Sequence, residues 1–270
     1  TTTAESYVLI SEGNISISFV DIVNNTCQVN ANNNAAVGGT VNVSSLEKLA
    51  SIERFESTKE TSKDSDGKDV VAWKKSSVAS AKYPYAAYEQ DVTKKIEAKE
   101  DNGKISWTDT IPSAKIEDGE QHFFYQATDI AGNSAEIELV CNGDGNPPDV
   151  KIDSEVYKKY ENWVNSSSVK LSVIAADVNG YNPSGIKKVS YSYGDNSTGE
   201  LSRGEKCDED GKTNTEGKYY KYSTTRDLGE TIESGTMITF TAKDNVGNET
   251  KLAPLAYKVD TTAPKVENLS

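Results

Sequence analysis

Apolar and polar residues alternate with a period of two through much of the chain. In "VKLSVIA" Val169, Leu171 and Val173 alternate with Lys170 and Ser172, and in "MITFTA" Ile238, Phe240 and Ala242 alternate with Met237, Thr239 and Thr241. Successive side chains of a β-strand point to opposite faces, so this writing puts one face on a core and the other in water. Runs of the same kind are "VKID" from Val150, "GIKKVSYSYG" from Gly185, "KYYKYST" from Lys218 and "LAYKVD" from Leu255. Gly, Asn, Asp, Pro and Ser fill the gaps between them, as turns require. No stretch sustains a period near that of a helix.

Six or seven short strands within about 100 residues, with a turn in every gap, predict a two-sheet sandwich of immunoglobulin type for the second half. The first half repeats the order. "SLEKLASIERFES" from Ser45 stands where "SGIKKVSYSYGD" from Ser184 stands, and "IEDGEQHFFYQATD" answers "IESGTMITFTAKD". Lys48 and Asp129 are 81 residues apart whereas Lys188 and Asp244 are 56 apart, so the first unit carries about 25 more. The surplus falls around 59–102 and reads as a long charged loop or an added hairpin, with room for a short helix. Upstream, "YVLISE" and "NISISFVDIV" read as strands and "NANNNAAVGG" (Asn30 to Gly39) as a polar loop without a counterpart. The expected organisation is all-β, with two tandem sandwiches over 1–146 and 147–260 and the start of a further repeat or a linker over 261–270.

Ala-x-Asp-x-x-Gly-Asn is written twice, as "ATDIAGN" (Ala127 to Asn133) and "AKDNVGN" (Ala242 to Asn248), with Asp129 and Asp244 115 residues apart. An Asp that closes a strand can accept backbone N–H groups further on, and a Gly supplies the left-handed conformation other residues resist. The motif therefore predicts a hairpin between the last two strands of each sandwich, built by Asp129, Gly132, Asn133 and by Asp244, Gly247, Asn248, with Tyr125 and Phe240 in the core just before it. Calcium held by Asp129 or Asp244 is the functional rival. A motif written once per unit marks a repeated structural module.

"FTAKDNVGNETKLAPLAYKVDTTAPKV" and "FYQATDIAGNSAEIELVCNGDGNPPDV" resemble bacterial immunoglobulin-like repeats of secreted and surface proteins, whose tandem domains end in a similar Asp-x-x-Gly-Asn hairpin and join through Val-Asp-x-Thr-x-Pro junctions. "VDTTAPKV" (Val259 to Val266) carries that junction with Pro264, while "CNGDGNPPDV" departs from it with Pro147 and Pro148. The resemblance implies a stalk, spacer or adhesive module of a large extracellular polypeptide, without catalytic residues or cofactor. The chain begins at Thr1 without Met and stops at Ser270 inside the motif, as a piece of something longer does.

Composition narrows the partners. Asp and Glu outnumber Lys and Arg by 42 to 29, giving a net charge of −13 and no basic stripe for phosphate, so nucleic acid is not an expected partner. No apolar stretch approaches the ~20 residues of a spanning helix, so membrane insertion of this segment is not expected either. A monomer is expected. Three cysteines are too few for a disulfide scaffold. Cys27 and Cys141 stand at opposite ends of the first unit, where first and last strands can meet; a bridge between them and two separate thiols are both compatible with the sequence.

Candidate chemistry is thin. The one histidine, His122, sits in the strand-like "EQHFFYQ" and has no acid and nucleophile beside it. Neither a P-loop, a Gly-x-Ser-x-Gly elbow nor a zinc-spaced Cys/His set occurs. "DSDGKD" from Asp64 and "CDEDGK" from Cys207 echo an EF-hand start, yet with Gly in the sixth place the twelfth falls on Trp73 or Gly217 instead of Glu. Asp-Gly in these runs predicts tight turns. Sugar surfaces need aromatic faces beside polar groups, and the surplus region offers Trp73, Tyr83, Tyr85, Tyr88 and, after it, Trp107. The same residues can instead anchor the insertion on the sheet. A glycan or a host or matrix protein is the expected partner, and a carbohydrate-binding module of a secreted polysaccharide-degrading enzyme the alternative. Lys48 and Lys188 could take part in a Lys–Asn isopeptide bond, though nothing selects a trio.

Overall fold

The structure, a computed structural model, describes residues 15–43, 48–84, 95–101, 104–194, 197–229, 231 and 235–265. The chain divides into two compact units, Thr1–Asp144 and Gly145–Ser270. Each unit has its own apolar core.

In the first unit β1 (Ser16–Phe19), β3 (Ala35–Asn42), β7 (Lys104–Ile111) and β6 (Glu97–Asp101) form one antiparallel sheet in the order β1-β3-β7-β6. The other sheet runs β2-β9-β8-β4-β5, from β2 (Thr26–Asn30), β9 (Ser134–Asp144), β8 (Gly119–Asp129), β4 (Leu49–Lys63) and β5 (Asp69–Tyr83). All its pairings are antiparallel except β2 with β9. In the second unit β10 (Asp149–Ile152), β11 (Ser168–Ala176), β15 (Tyr219–Asp227) and β14 (Ser202–Cys207) form one sheet in that order. Opposite it run β13 (Ser197–Glu200), β12 (Ile186–Tyr193), β16 (Thr236–Asp244) and β17 (Glu249–Lys251), with β18 (Leu255–Tyr257) also on β16. First, second, sixth and fifth strands on one side and fourth, third, seventh and eighth on the other is the immunoglobulin arrangement with one strand added beside the third. The protein is thus all-β, two tandem immunoglobulin-like sandwiches.

Alternation does what the sequence led us to expect. Val169, Leu171 and Val173 of β11 and Ile238, Phe240 and Ala242 of β16 are fully buried, as are Ile52 and Tyr125 of the first unit. Ser172 breaks the pattern and is also buried. It lies under the short helix α1 (Ser154–Tyr157), where its hydroxyl donates to Asp153 Oδ2 at 2.7 Å. The same carboxylate caps α1 by accepting from the Val156 amide, a partner that a buried hydroxyl and a helix N-terminus both need.

The structure departs from the sequence reading at two features and takes one of its alternatives at a third. The polar run ending in Gly38-Gly39 is not a loop throughout, because β3 begins at Ala35 and is the second strand of its sheet, with Val37 and Val41 buried. Glycine hides the alternation there. A Cβ on Gly39 would lie 1.9 Å from the Ser18 carbonyl oxygen and 2.9 Å from the Trp107 ring, so the bare backbone is what lets β1 and Trp107 close on it. The surplus of the first unit lies in a hairpin, since β4 and β5 run 15 residues each where β12 and β13 run eight and four. A short helix within 85–94 would fall outside the described residues. Finally, β13 and β14, "STGE" and "SRGEKC", carry no apolar alternation because both are exposed edge strands.

A buried ion pair joins the sheets of the first unit. Arg54 of β4 and Asp109 of β7 meet at 2.6 Å with side chains 2% and 0% exposed. Asp109 Oδ2 also accepts from the Tyr125 hydroxyl at 2.8 Å, and Oδ1 from the Thr110 amide at 2.8 Å. Arg54 donates further to Ser80 Oγ at 3.2 Å and the Thr110 carbonyl at 3.3 Å. Such a pair persists in a core when further hydrogen bonds support it, as those of Tyr125, Thr110 and Ser80 do here. Burial, and then the Asp109 charge, raise the Tyr125 phenol well above its usual range, which keeps it a donor. Phe19, Trp107 and Tyr125 pack around the group, with Trp107 and Tyr125 ring centres 4.9 Å apart.

Candidate functional site

The duplicated motif is a hairpin loop in both units. Asp129 closes β8 and Ser134 opens β9; Asp244 closes β16 and Glu249 opens β17. Asp129 Oδ1 accepts from the amides of Ala131 and Asn133 at 3.0 and 2.9 Å, and Oδ2 from Asn133 Nδ2 at 2.9 Å. At Asp244 the amides of Val246, Gly247 and Asn248 donate to Oδ1 at 3.0, 2.6 and 2.8 Å, and Asn248 Nδ2 to Oδ2 at 2.8 Å. Gly132 and Gly247 hold φ of 92° and 101°, the region that glycine tolerates and other residues resist. Both loops dock alike on the neighbouring strand, through Ile130 N to Lys48 O and Asn245 N to Gly185 O at 3.0 Å. Lys48 and Lys188 themselves are exposed.

The two acidic runs that echo an EF-hand fold into the same ring. Asp64 accepts from the Asp66 and Lys68 amides at 2.9 Å, and Asp208 from those of Asp210 and Lys212 at 3.1 and 2.9 Å. In both, as at Asp129, the Gly amide three residues on donates to the Asp carbonyl at 3.1 Å. Their carboxylates thus serve the backbone of a turn.

The aromatic candidates of the surplus region do not share a face. Trp107 is 1% exposed and lies in the core beside Tyr125, so burial removes it from any ligand. Tyr83 ends β5 and packs against the same core. Tyr85 and Tyr88 lie outside the described residues. Trp73 alone takes part in a half-exposed polar cluster, on the outer face of the β8-β4-β5 portion of its sheet.

That cluster is built on His122. The Trp73 and His122 rings stack with centres 4.5 Å apart and planes 18° from parallel. His122 Nδ1 lies 2.5 Å from Glu138 Oε1 and Nε2 3.1 Å from Glu120 Oε1, while Trp73 Nε1 donates to Glu120 Oε1 at 3.3 Å. The hydrogen bond to His122 is the main cause that holds the Glu120 carboxyl below its usual range. Lys59, opposite Trp73 in the β4–β5 ladder, sets its ammonium 5.8 Å from the indole centre. An aromatic ring, two carboxylates and an ammonium on one surface can stack on and hydrogen-bond to a polar ligand. Glu120, Glu138 and Lys59 were not among the sequence candidates. Counting back along β8 and β9 from the hairpin, where Thr128 opposes Ser134, places His122 opposite Val140 and diagonal to Glu138.

No protein-family description matches the chain, and no curated protein matches it. Among solved structures it is similar to a three-domain titin I-band fragment, I67–I69, at 12% identity, covering 93% of this chain and 66% of that one with a TM-score of 0.38. A four-repeat segment from the extending region of a large adhesion protein aligns at 18% identity, over 92% of this chain and 50% of that one, with a TM-score of 0.30. A chain of the complex between Dpr2 Ig1–Ig2 and DIP-Theta Ig1–Ig3 aligns at 10% identity, over 91% of this chain and 99% of that one, with a TM-score of 0.33. The chain spans about two thirds of the titin fragment's length.

Proposed function

We propose that this chain is a non-enzymatic repeat segment, a spacer that holds another domain away from a bacterial surface as part of an extracellular protein. One observation carries the reading: two units with separate cores each end on the same carboxylate-organised hairpin, bonded and docked alike. A module repeated whole serves reach, whereas a catalytic site needs building once. The acidic surface and the Val-Asp-Thr-Thr-Ala-Pro run at Val259 to Pro264 suit an extracellular tandem array that continues past this segment.

A second reading is favoured by the Trp73 cluster, through which the segment would adhere to a glycan or matrix protein. Two measurements decide. An epitope displayed on a cell-surface anchor above one and then two copies of residues 1–270 should become more accessible to a bulky antibody with each copy; access that ignores copy number defeats the spacer. A glycan array and a panel of matrix proteins should be silent for a pure spacer. Binding that Trp73→Ala abolishes transfers the assignment to adhesion.

A further inference from the structure

We propose that Cys27 and Cys141 are a reversible disulfide site that staples β2, the edge strand of the larger sheet in the first unit, to β9. The two residues are direct partners in the parallel β2–β9 ladder, and their Sγ atoms lie 3.2 Å apart. Residues opposed in a ladder share a face and sit about 5 Å apart between strands, inside the span a disulfide bridges. The site lies within one sheet. In the second unit the corresponding parallel meeting of an early and a late segment is between Val164 and Val259, which cannot cross-link.

The pair also has a direction of entry. Cys141 is fully buried in the core, whereas Cys27 is half-buried on the edge strand. The hydrogen bond between them lowers the Cys27 thiol, while the same bond and burial raise Cys141. Cys27 is therefore the sulfur that meets an oxidant. As thiolate it attacks a low-molecular-weight disulfide, forming a mixed disulfide and releasing one thiolate, which takes a proton. Cys141 then gives up its proton, attacks the Cys27 sulfur and expels the second thiolate, so two protein thiols are oxidised as the small disulfide is reduced to two thiols.

The bond would close a loop around the 113 residues between the two cysteines. It would fix β2, which has a sheet partner on one side, and would remove chain entropy from the unfolded state. Where the segment is under tension, a consequence that rests on the spacer reading, load would pass through the sulfurs and leave those residues unextended.

The test uses the whole chain and oxidised glutathione. After incubation, the native protein should lose two of its three free thiols, show no glutathione adduct in its intact mass, and yield a Cys27–Cys141 cross-linked peptide. Cys207, buried in β14, should stay reduced. The melting transition of the first unit should rise by about 10 °C over the reduced protein and fall back on adding a dithiol. Three free thiols after incubation, a glutathione adduct that persists on Cys27, or cross-links to Cys207 would each overturn the proposal. None of these outcomes depends on epitope access, so the disulfide and the spacer fail separately. Cys27→Ser should abolish the cross-link and the shift together.

Discussion

The same five-residue ring occurs at Asp129 and Asp244, where the aspartate is buried, and at Asp64 and Asp208, where it is not. Asp129 and Asp244 are 1% and 0% exposed; Asp208 is half-buried and Asp64 exposed. In all four the carboxylate accepts amides two and four residues on, and a Gly stands fourth in the ring with positive φ. What differs is the fifth residue. Asn133 and Asn248 return a side-chain hydrogen bond to the Asp, whereas Lys68 and Lys212 end the other two rings. Asp and Gly thus define the turn, and the Asn lets its carboxylate leave water with its second oxygen paired. A strand end can then be buried without stranding a charge.

The largest effect should come from Asp244→Ala. It leaves the amides of Val246, Gly247 and Asn248 without their acceptor in a place shielded from water, at a cost of about 3 kcal/mol. Asp129→Ala should cost somewhat less, about 2 kcal/mol, because the two amides it frees belong to exposed Ala131 and half-buried Asn133, where water can reach them. Urea unfolding followed by Trp and Tyr fluorescence should show each substitution moving the transition of its own unit only. A shift of both transitions by either change would contradict the separation of the cores.

The next step exchanges the residue that separates the two kinds of ring. Asn248→Lys removes the bond to Asp244 Oδ2 and forces an ammonium out of a site 8% exposed, so about 2 kcal/mol is expected. The reverse changes, Lys68→Asn and Lys212→Asn, should stay within about 0.5 kcal/mol, since water already serves those carboxylates. Equal effects in both directions would show that Asn does not set the burial. Gly247→Ala comes below, at about 1–2 kcal/mol, because the strain of a left-handed alanine is local; nothing lies nearer than 3.7 Å to the added methyl.

These rings also show where the sequence is legible. Turn chemistry is local, so Asp-x-x-Gly-Asn could be read as a hairpin, and alternation as in Ile238, Phe240 and Ala242 could be read as a core strand. Burial of one aromatic against another is not local. Trp73 and Trp107 look alike in the sequence, yet Trp107 fills the space above Gly39 and beside Tyr125, and Trp73 lies half-exposed on His122. Only the pairing of β4 with both β5 and β8 brings residues 73 and 122 together, and that register depends on the extra residues of β5 between Lys75 and Ala81, which no residue announces. Arg54 and Asp109 were hidden for a related reason. Each stands at an inward position of its strand, Arg54 with Ile52 and Asp109 with Trp107 and Ile111, and only the packing of two sheets reveals that the two charges meet.

The smallest expected effect is the sharpest test. Asp64→Ala removes two amide bonds of 2.9 Å, as many as Asp129→Ala removes from the backbone of its own ring, yet every residue from Thr61 to Val70 is exposed. Water takes over the freed amides, so a loss within about 0.5 kcal/mol follows, with Asp208→Ala between it and Asp129→Ala. The ring itself should still loosen. Amide hydrogen exchange at Asp66 and Lys68 should quicken in Asp64→Ala while the core amides of Ile52 and Tyr125 keep their protection, because the end of the long hairpin can open without the sandwich. If instead Asp64→Ala lowered stability as much as Asp129→Ala, the bonds and not their burial would decide the cost. The four rings would then be equivalent, and the distinction between Asn-closed and Lys-closed loops would lose its physical basis.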